Sequence, residues 1–137
     1  MKKVFIDSDI ILDVLQEREP FYPFSAQLFS LLDIKEIKGF VSPLIFANLY
    51  YILRKKKGSA FAVRVLSQLK MLVKVLPMND RTVEFALHSG FRDFEDALQY
   101  SSALESDVDV LITRNKKDYK KADIPVMTAE EFLKAFG

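Results

Sequence analysis

The sequence predicts a three-layer α/β fold, with helices on both faces of a mainly parallel sheet. Three observations carry this. Short, continuously apolar runs, Val4–Ile6 foremost, read as strands buried on both faces. One or two segments with helical spacing separate successive runs. Hairpin signals between the strands are missing.

Each element has its own reason. Lys3–Ile6 is the first strand, and "IILDVL" (10–15) a short helix after it. "EREPFYP" (17–23) is a loop with two prolines. Phe24, Leu28, Leu31 and Leu32 repeat at helical spacing in "FSAQLFSLLDIKEIK" (24–38), a helix that Gly39 should break. "FVS" (40–42) is a short strand. Ser42 then caps a helix with Pro43 at its first position, running to about Lys57 and ending near Gly58. Ser59 caps the next helix, to about Met71. "VKVLP" (73–77) is a strand. Asp80 caps a helix to about Ser89, and Gly90 stops it. "DFEDALQYSSALES" (93–106) is a helix; "VDVLITR" (108–114) and "IPVM" (124–127) are strands. Thr128-x-x-Glu131 is a capping box for a last helix. With no linker, repeat or low-complexity tract, residues 1–137 are expected to form a single domain.

Composition narrows the chemistry. Half of the 137 residues are hydrophobic, a globular balance. There is no Cys, which excludes disulfides, thiolate catalysis, Cys-ligated zinc and iron–sulfur clusters. The single His, His88, excludes a multi-histidine metal site; its place near a helix end reads as structural. The first apolar run is broken too early for a secretion signal, and no apolar stretch reaches the roughly 18 residues of a membrane span. A soluble, cytoplasmic protein is expected. Net charge is +1, unevenly spread. Between Glu36 and Asp80 there is no acid, while Lys38, Arg54, Lys55, Lys56, Lys57, Arg64, Lys70 and Lys74 give +8. That span is either a polyanion grip or a set of solvated helix faces.

The acids fall where such a fold binds ligands, outside the carboxyl ends of its strands. Asp7 and Asp9 follow the first strand. Thr113, Arg114 and Asn115 follow "VLI", with Asp118 just beyond. Asp93 and Asp96 sit three apart at a helix start, on one face. Three parts of the chain can thus bring oxygen atoms to one crevice. Carboxylates alone repel one another, whereas a hard divalent ion turns that repulsion into binding and activates water at a phosphorus centre. The competing reading is helix caps and macrodipole charges, to which Asp93 is especially suited. Ser8 and Thr113 can donate to the acids or to a phosphate, or simply close turns. Arg114 can meet a phosphate or form an ion pair. Asp9 belongs to the outer shell of such a site, and Asp13 on the following helix should be solvated.

Four segments, "VFIDSDIILDVL", "VSPLIFANLYYIL", "DFEDALQYSSAL" and "VLITRNKKDY", resemble, in order, the motifs of the PIN-domain family. The likeness covers nearly the whole chain. It implies a compact parallel α/β fold and an RNA-cutting hydrolase dependent on Mg²⁺ or Mn²⁺. It also implies a toxin of the VapBC toxin–antitoxin kind, with an antitoxin partner and a homodimer. Asp7 becomes the first-motif acid and Asp96 the helix acid, with Asp93 and Asp118 beside the metal. Two positions depart: Asn48 stands where the middle motif usually has Glu, and Asn115 where the last often has Asp. Each loses a charge but keeps an oxygen that still ligates a hard cation, more weakly, which suits one ion better than two. Asp7, Asp96 and Asp118 are therefore the expected catalytic acids, and Asp7, Asp96, Asp93, Asn48 and Asn115 the expected metal ligands. Ser8, Thr113 and Arg114 are expected to touch substrate. Two other readings stand beside this one. The first is a PIN-like module that binds RNA or a partner without cutting. The second is a haloacid-dehalogenase-type phosphatase, since "VFIDSD" also resembles that family's nucleophile strand, although Ile11 stands where its Thr belongs.

Overall fold

The computed structural model describes residues 1–136. Five parallel strands form one sheet: β1 (Lys2–Ile6), β2 (Ile37–Val41), β3 (Val73–Val75), β4 (Val110–Ile112) and β5 (Val126–Met127). Their order is β3-β2-β1-β4-β5. The chain lays β2 and β3 on one side of β1, then returns to place β4 and β5 on the other. The order reverses between β1 and β4, the position where open α/β sheets leave a crevice at their carboxyl ends. Val4↔Val110, Phe5↔Leu111 and Ile6↔Ile112 fix the register there, and all six side chains are buried.

Helices α1 (Ser8–Leu15), α2 (Tyr22–Asp33), α3 (Pro43–Lys57), α4 (Ser59–Leu72), α5 (Asp80–His88), α6 (Phe94–Glu105) and α7 (Ala129–Phe136) surround the sheet, giving the expected three layers. A short 3₁₀ turn spans Lys116–Tyr119. Leu28 and Leu32 of α2, Ile45, Leu49 and Leu53 of α3, Leu66 and Leu69 of α4 and Phe132 of α7 join the strands in one apolar core. Among the described residues, no helix is long and apolar enough to cross a membrane.

Three local expectations are corrected, the first being that Gly58, not Ser59, is the N-cap of α4, with Ser59 its first helical residue. The helix expected to run to Lys38 ends at Asp33, and Gly39 sits inside β2 rather than ending a helix. Lys35 turns the chain with φ of 62°. Gly39 is needed for close packing: a Cβ there would lie 2.6 Å from Leu32 Cδ2. The cap of α5 is Asn79, not Asp80. Asn79 Oδ1 accepts from the Thr82 N–H at 3.2 Å, and Thr82 Oγ1 accepts from the Asn79 N–H at 3.1 Å. Asp80 is the first helical residue, where its charge suits the helix dipole. The capping box at α7 forms as expected: Glu131 accepts from the Thr128 N–H, and Thr128 Oγ1 from the Glu131 N–H.

Candidate active site

Asp7 is the first residue past β1. Its N–H donates to Ile112 O of β4 at 3.0 Å, so the backbone itself ties it to the switch point. Its carboxylate caps α1, Oδ1 accepting from the Ser8 N–H at 2.8 Å. Oδ2 accepts from Thr113 Oγ1, also at 2.8 Å. Asp7 is only 8 % exposed. Burial raises its pKa above the ordinary carboxylate range; the Thr113 and Ser8 hydrogen bonds oppose this, and the nearby charges of Asp9 and Glu95 add to it.

Asp96 comes to the same crevice from α6. Asp93 is the N-cap, Oδ1 accepting from the Asp96 N–H at 2.9 Å, which places Asp96 in the first turn. Its second oxygen carries no part of that bond. Tyr119, buried at the end of the 3₁₀ turn, donates its hydroxyl to Asp96 Oδ1 at 3.3 Å. Asp96 is half-buried, and its pKa is pushed up to about 7. Burial is the largest cause, then the charges of Asp93, Asp7 and Asp118. The same burial and acids hold the Tyr119 hydroxyl protonated well beyond its usual range, so it keeps the proton it donates to Asp96.

Beside these acids lies a cleft of about 760 Å³ lined by Gly90, Phe91, Arg92, Asp93, Asp96, Lys117, Asp118, Lys120 and Lys121. Its cations come from outside the acid-free span. The Lys55–Lys57 run is instead the exposed last turn of α3, where it suits the dipole.

The other expected site residues divide. Asn115 donates its side-chain amide to Asp9 Oδ2 at 2.9 Å, and its N–H donates to Thr113 Oγ1 at 3.1 Å. Asn48 donates its amide to Glu95 Oε1 at 2.7 Å. Arg114 does not line the Asp96 cleft. It borders a second cavity with Phe21, Phe24 and Ser25, its guanidinium 4.1 Å from the Phe21 ring centre. Its Nε lies 3.1 Å from Asp13 Oδ2.

This overturns the expectation of a solvated Asp13, whose side chain is 0 % exposed. Position 13 on α1 lines the same cavity as Phe24 and Ser25 of α2, and Arg114 neutralises it there. The pair is close but not aligned, and neither Asp13 oxygen receives a directed hydrogen bond. Burial raises the Asp13 pKa, while Arg114 and then Arg18 oppose the rise. Arg114→Ala should therefore strand a buried carboxylate. A loss of about 3 kcal/mol is expected in urea unfolding, the lower end for a broken buried pair because Asp13 can protonate. The Asp13→Asn/Arg114→Ala double variant should recover part of it; equal stability of Arg114→Ala and wild type would show that the pair holds nothing.

Glu95 and Tyr119 were missed from the sequence. Glu95 sits between two acids already singled out, and Tyr119 is a lone aromatic in a polar turn. Only the tertiary fold gives either a partner. His88 is exposed and pairs with Glu84 of its own helix.

The donors here are hard oxygens, and burial together with neighbouring acids raises the pKa values of Asp7 and Asp96. Among the described residues, no three His, Cys, Asp or Glu side chains stand close enough to hold an ion by themselves. Hard oxygen donors of this kind suit Mg²⁺ or Mn²⁺, which take one or two carboxylates and keep several waters. Fold and site together define an open α/β protein with a carboxylate centre at its switch point. The chain belongs to the PIN-domain family, whose model, described as PIN domain, matches residues 3–117. It is 31 % identical to Ribonuclease VapC1 of Aquifex aeolicus (strain VF5), over 99 % of this chain and 96 % of that protein. The fold is that of VapBC-1 from nontypeable Haemophilus influenzae, with TM-score 0.73 and 19 % identity over 93 % of this chain and 98 % of that one. It is likewise similar to a toxin–antitoxin complex from Klebsiella pneumoniae, with TM-score 0.70 and 18 % identity over 92 % and 97 % of the two chains.

Proposed function

We propose that the protein is a divalent-metal-dependent ribonuclease and the toxin of a toxin–antitoxin pair. The observation that carries this is the placing of Asp96 beside Asp93 and Asp118 in the cleft, with Tyr119 donating to it; burial first, then the charges of Asp93, Asp7 and Asp118, push its pKa up to about 7. Membership of the PIN-domain family, and a relative named as a ribonuclease, support it. Asp7 and Asp96 would hold Mg²⁺ or Mn²⁺, with Asp93 and Asp118 beside them. When bound, the ion supplies charge neutralisation at phosphorus and activation of water. Thr113 and the Ser8 N–H fix the Asp7 carboxylate, and Tyr119 fixes that of Asp96. Hydrolysis then joins water oxygen to phosphorus, breaks one ester P–O bond and passes a proton to the departing oxygen. Arg92, Lys117, Lys120 and Lys121 would offset the phosphates of RNA lying in the cleft. A cytoplasmic location, an antitoxin partner and a homodimer belong to the same reading.

Asp7 is buried and accepts two hydrogen bonds, a poor placement for the phosphatase nucleophile that "VFIDSD" also suggested. The test is cleavage of structured and single-stranded RNA by the purified chain. Cutting with Mn²⁺ or Mg²⁺, and none in EDTA, is expected. RNA that is bound but uncut with either metal would favour the non-cutting module to which Asn48 and Asn115 point.

A further inference from the structure

We propose that Phe91 is the platform on which one unpaired base of the RNA stacks while a neighbouring phosphate lies at Asp96. This rests on the ribonuclease reading and deepens it. Among the described residues that line the cleft beside Asp96, Phe91 is the one apolar side chain. Around it, acids alternate with the cations Arg92, Lys117, Lys120 and Lys121. A cleft that gripped only phosphates and an ion would need no aromatic ring. Proteins that hold single strands combine these same parts, a basic groove for the backbone and a π face for the bases.

The ring is set for that use. Tyr100, buried on α6, stacks on Phe91 with ring centres 5.1 Å apart and planes 19° apart. Tyr119 meets it edge-on, with centres 6.0 Å apart and planes at 71°. Phe91 nevertheless stays only half-buried, and its uncovered part borders the cleft. Its loop is fixed as well. Gly90 turns with φ of 76°, and its carbonyl accepts from Lys121 Nζ at 2.6 Å, which ties the loop to the chain just past the 3₁₀ turn. The Phe91 N–H donates to Ser89 Oγ at 3.2 Å. A ring held in advance gives up little freedom when a base lands on it. Tyr119 joins platform and centre, because the tyrosine that meets Phe91 also donates its hydroxyl to Asp96. Phe91 packs against the core too, but leucine could do that; it could not offer a flat π face.

The test is steady-state cleavage, with Mn²⁺, of a single-stranded RNA whose cut site has been mapped. Beside it run copies that each carry one abasic ribose, at successive positions around the cut. With wild type, one of these positions should lower kcat/KM about tenfold, mostly through KM. Phe91→Tyr should keep that penalty. Phe91→Leu should cut the intact RNA about tenfold less well and lose most of the penalty. General damage to the fold would slow intact and abasic RNA alike, so the ratio isolates stacking; if Phe91→Leu melts early, Phe91→Met takes its place. An undiminished penalty without the aromatic ring overturns the assignment. Wild type that cuts every abasic copy as well as the intact strand overturns it without any variant, and leaves the ribonuclease reading standing. Wild type that cuts no RNA removes both.

Discussion

Replacing Asp7 with Asn should cost at least about a hundredfold in RNA cleavage and leave the fold no less stable. The two effects have one cause. Asp7 is held at the switch point by its own backbone and by Thr113 and Ser8, and it is buried. Burial makes its negative charge costly without a cation, as its raised pKa shows. Asn keeps the shape and removes the charge. Its oxygen can still accept from the Ser8 N–H, and its amide can donate to Thr113 once that hydroxyl rotates. Metal-free melting should therefore stay level or rise. Cleavage should collapse, because an amide oxygen is a weaker ligand than a carboxylate. A variant that melts early and cuts poorly would instead make Asp7 a structural cap; one that cuts as well as wild type would remove Asp7 from the centre.

The sheet was legible because its strands are short, apolar and unjoined by hairpin turns, and that pattern has few other solutions. What misled was Gly39, read as a helix breaker when its role is close approach to Leu32 across layers. Nothing local distinguishes the two uses of a glycine. The places of Asp7, Asp93 and Asp96 were legible because a strand end and a helix start have known positions at a parallel sheet. Asp13 was not, since its helix has apolar neighbours on several sides and its partner, Arg114, lies 101 residues further along. Asn48 could be read as a lost charge, but not as a hand that holds another. That requires knowing that α3 and α6 face one another, which only the Ser42–Gln99 and Asn48–Glu95 contacts reveal.

The metal-free protein should lose stability as pH rises from about 4 to about 7, and Mn²⁺ should bind more tightly over the same range. Asp96 sets the window. Its folded pKa is about 7, against an ordinary value of 3.8. Between those values the folded chain keeps a proton that the unfolded chain has released, so each rise in pH favours unfolding. Above about 7 both states are ionised at this residue and its contribution levels off. The unscreened slope, about 1.4 kcal/mol per pH unit, is an upper limit, because water reaches a half-buried carboxylate. Asp7 is shifted the same way by burial and adds to the fall. A cation reverses the sign, since it binds the carboxylate and not the acid; its binding near pH 6 should release a proton that calorimetry in two buffers of different ionisation enthalpy will count. Asp96→Asn should flatten both the melting profile and the proton release. Melting in EDTA that improves between about pH 5 and 7, or Mn²⁺ affinity equal at about pH 5.5 and 8, would place the control of this centre on some group other than Asp96.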